Sequence, residues 1–247
     1  MTKPNLRPED RIILALDFPR YEEAQNWVQR LKGKIKTFKI GPTLFLKSGL
    51  TGLREFTDIG VEIFLDLKFH DIPSTVESAS RQVIGYGIKM LTIHALGGFD
   101  MMKRAVEAVN LESERLSKPK PIVLAVTILT SQNEESLKQI GISNSSQDAV
   151  LRLAALADRA KVDGLVASGK EIEILRKEFG DRFKLVVPGI RIGASVDDHS
   201  RVSTPAEAVS LGADYLVIGR AITESKNPEE TLDEIIFSIY HHNTPIG

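Results

Sequence analysis

The densest chemistry in the chain lies in the run Phe64-Leu65-Asp66-Leu67-Lys68-Phe69-His70-Asp71. In an extended strand side chains alternate with a period of two, so Asp66 and Lys68 share one face while Leu65 and Leu67 take the other. Charges on a buried face are costly unless paired, and Lys39, on a neighbouring run, would complete a Lys-Asp-Lys row. A lysine held among carboxylates keeps its proton, which makes Lys68 a proton donor and argues against a Schiff base. His70, Asp71 and His94 are metal-ligand types, but the Lys68 cation would repel a divalent ion, and structural or hydrogen-bonding roles suit them better. A second group suits phosphate: Arg191, after Val187-Pro188-Gly189-Ile190, and Gly219-Arg220 combine guanidinium forks with open backbone N–H groups.

These residues need elements to hold them. Eight short apolar runs recur: Ile12 to Leu16, Thr37 to Ile40, Ile63 to Leu67, Met90 to Ile93, Ile122 to Val126, Gly164 to Ala167, Lys184 to Val187 and Tyr215 to Ile218. Between them lie stretches of helical period, such as Tyr21, Ala24, Trp27, Val28 and Leu31, then Val150, Leu153, Leu156, Ala157 and Ala160, and finally Leu232, Ile235, Ile236 and Ile239. Eight β/α units predict an α/β fold, a closed (β/α)8 TIM barrel, with residues 1–247 as one domain and 1–10 as a short N-terminal extension. Ser131 to Asp148 reads as a polar surface excursion with a short helix around Leu137, and Arg191 to Pro205 as the irregular loop after strand seven. Barrel sites form where strands end, and the residues there are mostly polar: Asp17, Lys39, Asp66 with Lys68, His94, Thr127 and Thr130, Ser168, Arg191, then Gly219 with Arg220.

Composition narrows the function. The 247 residues are 42% hydrophobic and 26% charged, an ordinary globular balance. The net charge of -1 lacks the basic footprint of a nucleic-acid or anionic-membrane binder, so any anion is gripped locally. Without cysteine there are no disulfides, thiolate metal sites or cysteine nucleophiles. No apolar signal region or membrane-length run is present, and a cytoplasmic location is expected. His241 and His242 are assigned no role.

The run Asp66-Leu67-Lys68-Phe69-His70-Asp71-Ile72-Pro73-Ser74-Thr75-Val76 resembles the signature of the orotidine 5'-phosphate decarboxylase family. Supporting stretches are Leu14-Ala15-Leu16-Asp17, Phe38-Lys39-Ile40-Gly41, Ile93-His94-Ala95-Leu96-Gly97-Gly98, Val126-Thr127-Ile128-Leu129-Thr130-Ser131, Pro188-Gly189-Ile190-Arg191 and Ile218-Gly219-Arg220. The resemblance, from about Arg11 to Thr223, implies conversion of orotidine 5'-monophosphate to UMP and carbon dioxide, in a homodimer with shared sites and no metal or organic cofactor. It also implies roles. Lys39, Asp66, Lys68 and Asp71 of the partner subunit would form the catalytic row, with Lys68 protonating C6. Asp17 and Lys39 would hold ribose hydroxyls, Thr130 the pyrimidine, and Arg191, Gly219 and Arg220 the phosphate. Ile72 and Thr75 would reach in from the partner.

Three positions depart from the family pattern. Ile192 and Ala221 stand where prolines are usual, and His199 where a glutamine is expected near the end of the phosphate loop. Two other activities suit the same barrel: a metal-dependent decarboxylase of sugar phosphates such as 3-keto-gulonate 6-phosphate, and a phosphosugar isomerase or epimerase. A catalytically silent nucleotide- or protein-binding barrel would need a disrupted charged row, and here the row is intact.

Overall fold

Short runs of branched aliphatic residues joined by amphipathic segments bury both faces of a parallel sheet, one against helices and one against its own lumen. The computed structural model describes residues 6–190 and 204–242; Arg191 and His199 lie outside the described residues. The strands are β1 (Ile12–Ala15), β2 (Thr37–Ile40), β3 (Glu62–Phe69), β4 (Met90–His94), β5 (Ile122–Val126), β6 (Gly164–Val166), β7 (Lys184–Pro188) and β8 (Tyr215–Ile218). Each pairs in parallel with the next, and β8 pairs with β1, so the sheet closes as the eight-run pattern predicts.

The helices are α1 (Tyr21–Leu31), α2 (Pro42–Asp58), α3 (Pro73–Val83), α4 (Gly98–Arg115), α5 (Glu134–Gln139), α6 (Ser146–Arg159), α7 (Ile172–Phe179), α8 (Pro205–Ser210), α9 (Arg220–Thr223) and α10 (Pro228–His242). In α1 the buried Ala24, Val28 and Leu31 form one stripe, while Glu22 and Glu23 in the first turn and Arg30 in the last complement the helix dipole. The short helix expected around Leu137 is α5, capped by Asn133, whose side chain accepts the Ser136 N–H. No helix among the described residues is long and apolar enough to cross a membrane.

Strand alternation separates two cores. Ile12 and Leu14 face the helices, whereas Ile13 and Ala15 join Phe64, Met90, Leu124, Val186, Tyr215 and Val217 inside the barrel. A Cβ added at Gly164 would lie 2.4 Å from the Lys184 carbonyl oxygen, so glycine is what permits β6 to approach β7. The lower rim is sealed by Arg176, which donates to the Gly212, Gly180 and Phe183 carbonyls and to the buried Asp214 carboxylate. The expected N-terminal extension is partly built into this rim. Pro8–Arg11 form a 3-10 turn, and Arg11 donates to the Ala213 and Asp214 carbonyls.

Candidate active site

The C-terminal ends of β1, β2 and β3 converge on one carboxylate. Lys68 Nζ donates to Asp66 Oδ2 at 2.8 Å, and Lys39 Nζ stands 3.8 Å from the same oxygen. Lys39 also donates to Asp17 Oδ1 at 2.8 Å. The Lys39 and Asp66 side chains are each only 11% exposed, so this is a partly desolvated pair whose charges interact more strongly than they would in water. Lys68 and Asp17 are more open, and the row therefore runs from the barrel mouth toward solvent.

Asp66 and Lys68 do meet on one face, but not through the regular alternation expected of them. Leu65 pairs with Leu91 and Phe69 with Ile93, so Asp66, Leu67 and Lys68 together stand opposite the single residue Thr92. Within this bulge Lys68 has φ 50°, the left-handed region, which costs a residue with a Cβ about 1–2 kcal/mol. Strain of this kind persists only where surrounding contacts impose it.

One of those contacts was not anticipated from sequence. The buried Thr92 hydroxyl donates to Asp66 Oδ1 at 3.0 Å and accepts the Lys68 backbone N–H at 2.9 Å. Its sequence signal is faint: a polar residue two positions before His94, in a strand whose other residues are Met90, Leu91 and Ile93.

His94 is buried beside the row. Its Nδ1 accepts the Leu96 N–H, and its ring stacks on His70 with centroids 5.2 Å apart. Burial, helped by the nearby His70 and Lys68 charges, pushes its pKa down to about 4, so the imidazole is neutral at physiological pH. No group of three or more His, Asp or Glu side chains suited to a metal ion occurs among the described residues.

Other rim residues have different surroundings. Thr127 is buried and donates to the Val166 carbonyl, tying β5 to β6. The Ser168 N–H donates to Glu171 in a capping box, and burial raises the Glu171 pKa. Asp71, Ile72, Thr75, Thr130 and Arg220 are exposed, and Ile72 leaves 64% of its surface open. Asp71 accepts the Ile72 N–H and has no ion pair with a described residue, so a single chain does not bring it into the row. Gly219 and Arg220 follow β8, where a Cβ on Gly219 would approach Ala15 Cβ to 3.3 Å. A separate groove of about 460 Å³ is lined by Arg81, Gln82, Gly85, Glu112, Arg115 and Leu116. There Glu112 is already paired with Arg115 and Arg81.

A protein named orotidine 5'-phosphate decarboxylase from Geobacter sulfurreducens is 45% identical over 241 residues, covering 96% of this chain and 99% of its own length. One of the same name from Hydrogenovibrio crunogenus is 42% identical over 236 residues, covering 95% of this chain and 98% of its own. The crystal structure of orotidine 5'-phosphate decarboxylase from Lactobacillus acidophilus superposes with a TM-score of 0.82 at 31% identity, covering 93% of this chain and 99% of that one. The model of the orotidine 5'-phosphate decarboxylase / HUMPS family matches residues 10–235, a span that includes all eight barrel strands, and the chain belongs to that family.

Proposed function

We propose that this chain decarboxylates orotidine 5'-monophosphate to UMP and carbon dioxide, with Lys68 as the acid and no metal or organic cofactor. The observation that carries the reading is the Lys39-Asp66-Lys68 row at the barrel mouth, in a chain whose relatives are named for that reaction. When the bond from C6 to the carboxylate breaks, carbon dioxide leaves without the bonding pair. That pair stays on C6, in a ring that offers no cofactor as an electron sink. The Lys68 ammonium would stabilise this charge and deliver its proton to C6, after which solvent reprotonates the amine. Asp66 holds the ammonium before the substrate arrives, so little reorganisation is needed at the moment of reaction.

The remaining residues divide by distance from C6. Asp17 and Lys39 would hold the ribose hydroxyls, and Thr130 the pyrimidine. Arg191, His199, Gly219 and Arg220 would take the phosphate, whose binding energy is spent on orienting the reacting end. Asp71, Ile72 and Thr75 would complete the site across a two-fold homodimer; their exposure, including an apolar Ile72 side chain left open to water, supports that reading.

The test is incubation of the purified protein with orotidine 5'-monophosphate in excess EDTA, following UMP by chromatography. Stoichiometric UMP is expected, at the rate seen without chelator. Loss of activity on chelation with recovery on added Mg²⁺, or no UMP at all, contradicts the proposal.

A further inference from the structure

Thr92 lies in the middle of β4, fully buried, and the proposed reaction assigns it nothing. Its hydroxyl nevertheless touches both parts of the machinery. It accepts the backbone N–H of Lys68 and donates to one oxygen of Asp66, whose other oxygen receives Lys68 Nζ. The contacts close a ring: Lys68 main chain, Thr92 hydroxyl, Asp66 carboxylate, Lys68 ammonium.

The ring sits where the β3 and β4 ladder breaks. Three residues of β3 stand opposite one residue of β4, and the middle of the bulge has no regular ladder partner. A partly buried backbone N–H left without a partner would be costly there, and the Thr92 oxygen supplies the acceptor. Closing the ring requires one atom that both accepts and donates, which a hydroxyl does and a methyl does not. The β-branch of threonine restricts χ1 in a strand, so the hydroxyl is aimed before substrate binds.

We propose that Thr92 is a positioning residue for the proton donor: it locks Lys68 in its left-handed conformation and fixes the Asp66 carboxylate that orients the ammonium. This rests on the decarboxylase reading above. Since the reacting atoms must be placed to within a fraction of an ångström, removing the hydroxyl misplaces the proton without disturbing the ribose and phosphate contacts. The loss should therefore appear in kcat and not in KM.

The experiment compares wild type, Thr92→Val and Thr92→Ser with orotidine 5'-monophosphate, with kcat normalised to the number of UMP-binding sites so that unfolded protein does not count. Thr92→Val should lower kcat by about 10- to 100-fold with KM within about threefold of wild type, and Thr92→Ser should restore kcat to within about threefold. Should Thr92→Val not fold, Thr92→Ala replaces it, because it removes the hydroxyl without placing a methyl against Asp66. An unchanged kcat in the hydroxyl-free variant, or Thr92→Ser as impaired as that variant, overturns the assignment. Wild type that makes no UMP overturns the decarboxylase reading, and this inference with it; an active wild type with an indifferent Thr92 overturns this inference alone.

Discussion

At the scale of single residues, the environment decides what each ionisable group can do. Asp66 and Lys68 were legible from sequence because opposite charges two positions apart in an apolar run have few innocent explanations. Thr92 was not, because its role depends on a register break between strands that no pattern within either strand reveals. The structural or hydrogen-bonding role expected of His94 has a geometric counterpart: it accepts the Leu96 N–H while stacking on His70. Its burial has a measurable consequence. Near pH 7.5 the imidazole is neutral in both folded and unfolded chains and contributes no pH dependence. As pH falls below about 6.5 the unfolded chain takes up a proton that the native site refuses, so stability drops until about pH 4, where the native imidazole titrates too. Guanidinium unfolding from pH 7.5 to 4 should show wild type losing up to about 3 kcal/mol more than His94→Gln. Parallel stability curves for the two proteins would show that burial does not suppress protonation of His94.

At the scale of elements, all eight strands are visible as short, mainly apolar runs, because a parallel barrel strand is buried on both faces along most of its length. Their ends were less so: β3 starts one residue earlier and continues two residues past its expected end, carrying Lys68 and Phe69 within the strand through the bulge. Under the proposed reaction function gathers at the rim that carries the charged row and stability at the other, and the lower rim offers a test of that division. Asp214, immediately before β8, accepts from Arg176 at 2.6 Å and from the Leu185 N–H at 2.9 Å, with its side chain nearly fully buried. Asp214→Ala leaves the largely buried Arg176 guanidinium without its nearest carboxylate and should cost about 3–5 kcal/mol in chemical denaturation. The fraction still folded should turn over at the wild-type kcat, since the strand ends that carry the charged row are untouched. Full stability in this variant, or a kcat loss beyond the unfolded fraction, would contradict the separation of the two rims.

At the scale of the whole molecule, the row built by one chain is incomplete under the proposed reaction. Asp17, Lys39, Asp66 and Lys68 assemble within the barrel, whereas Asp71 stands exposed with its carboxylate turned to its own backbone. A two-fold dimer would supply each site with Asp71 of the partner subunit, and this reciprocity is testable by mixing inactive variants. Lys68→Ala would lack the proposed acid and Asp71→Ala the residue it would lend to its partner, so neither should make UMP alone. After subunit exchange about half the dimers are mixed, and each mixed dimer has one intact site of two, giving about a quarter of wild-type activity. The measurement that bears most directly on the reaction and its site is therefore UMP formation from orotidine 5'-monophosphate, in EDTA, by each variant and by the exchanged mixture. No activity is expected from either variant, and about one quarter of wild type from the mixture. Turnover by Lys68→Ala alone, or no recovery in a mixture whose subunit exchange is confirmed, would contradict it.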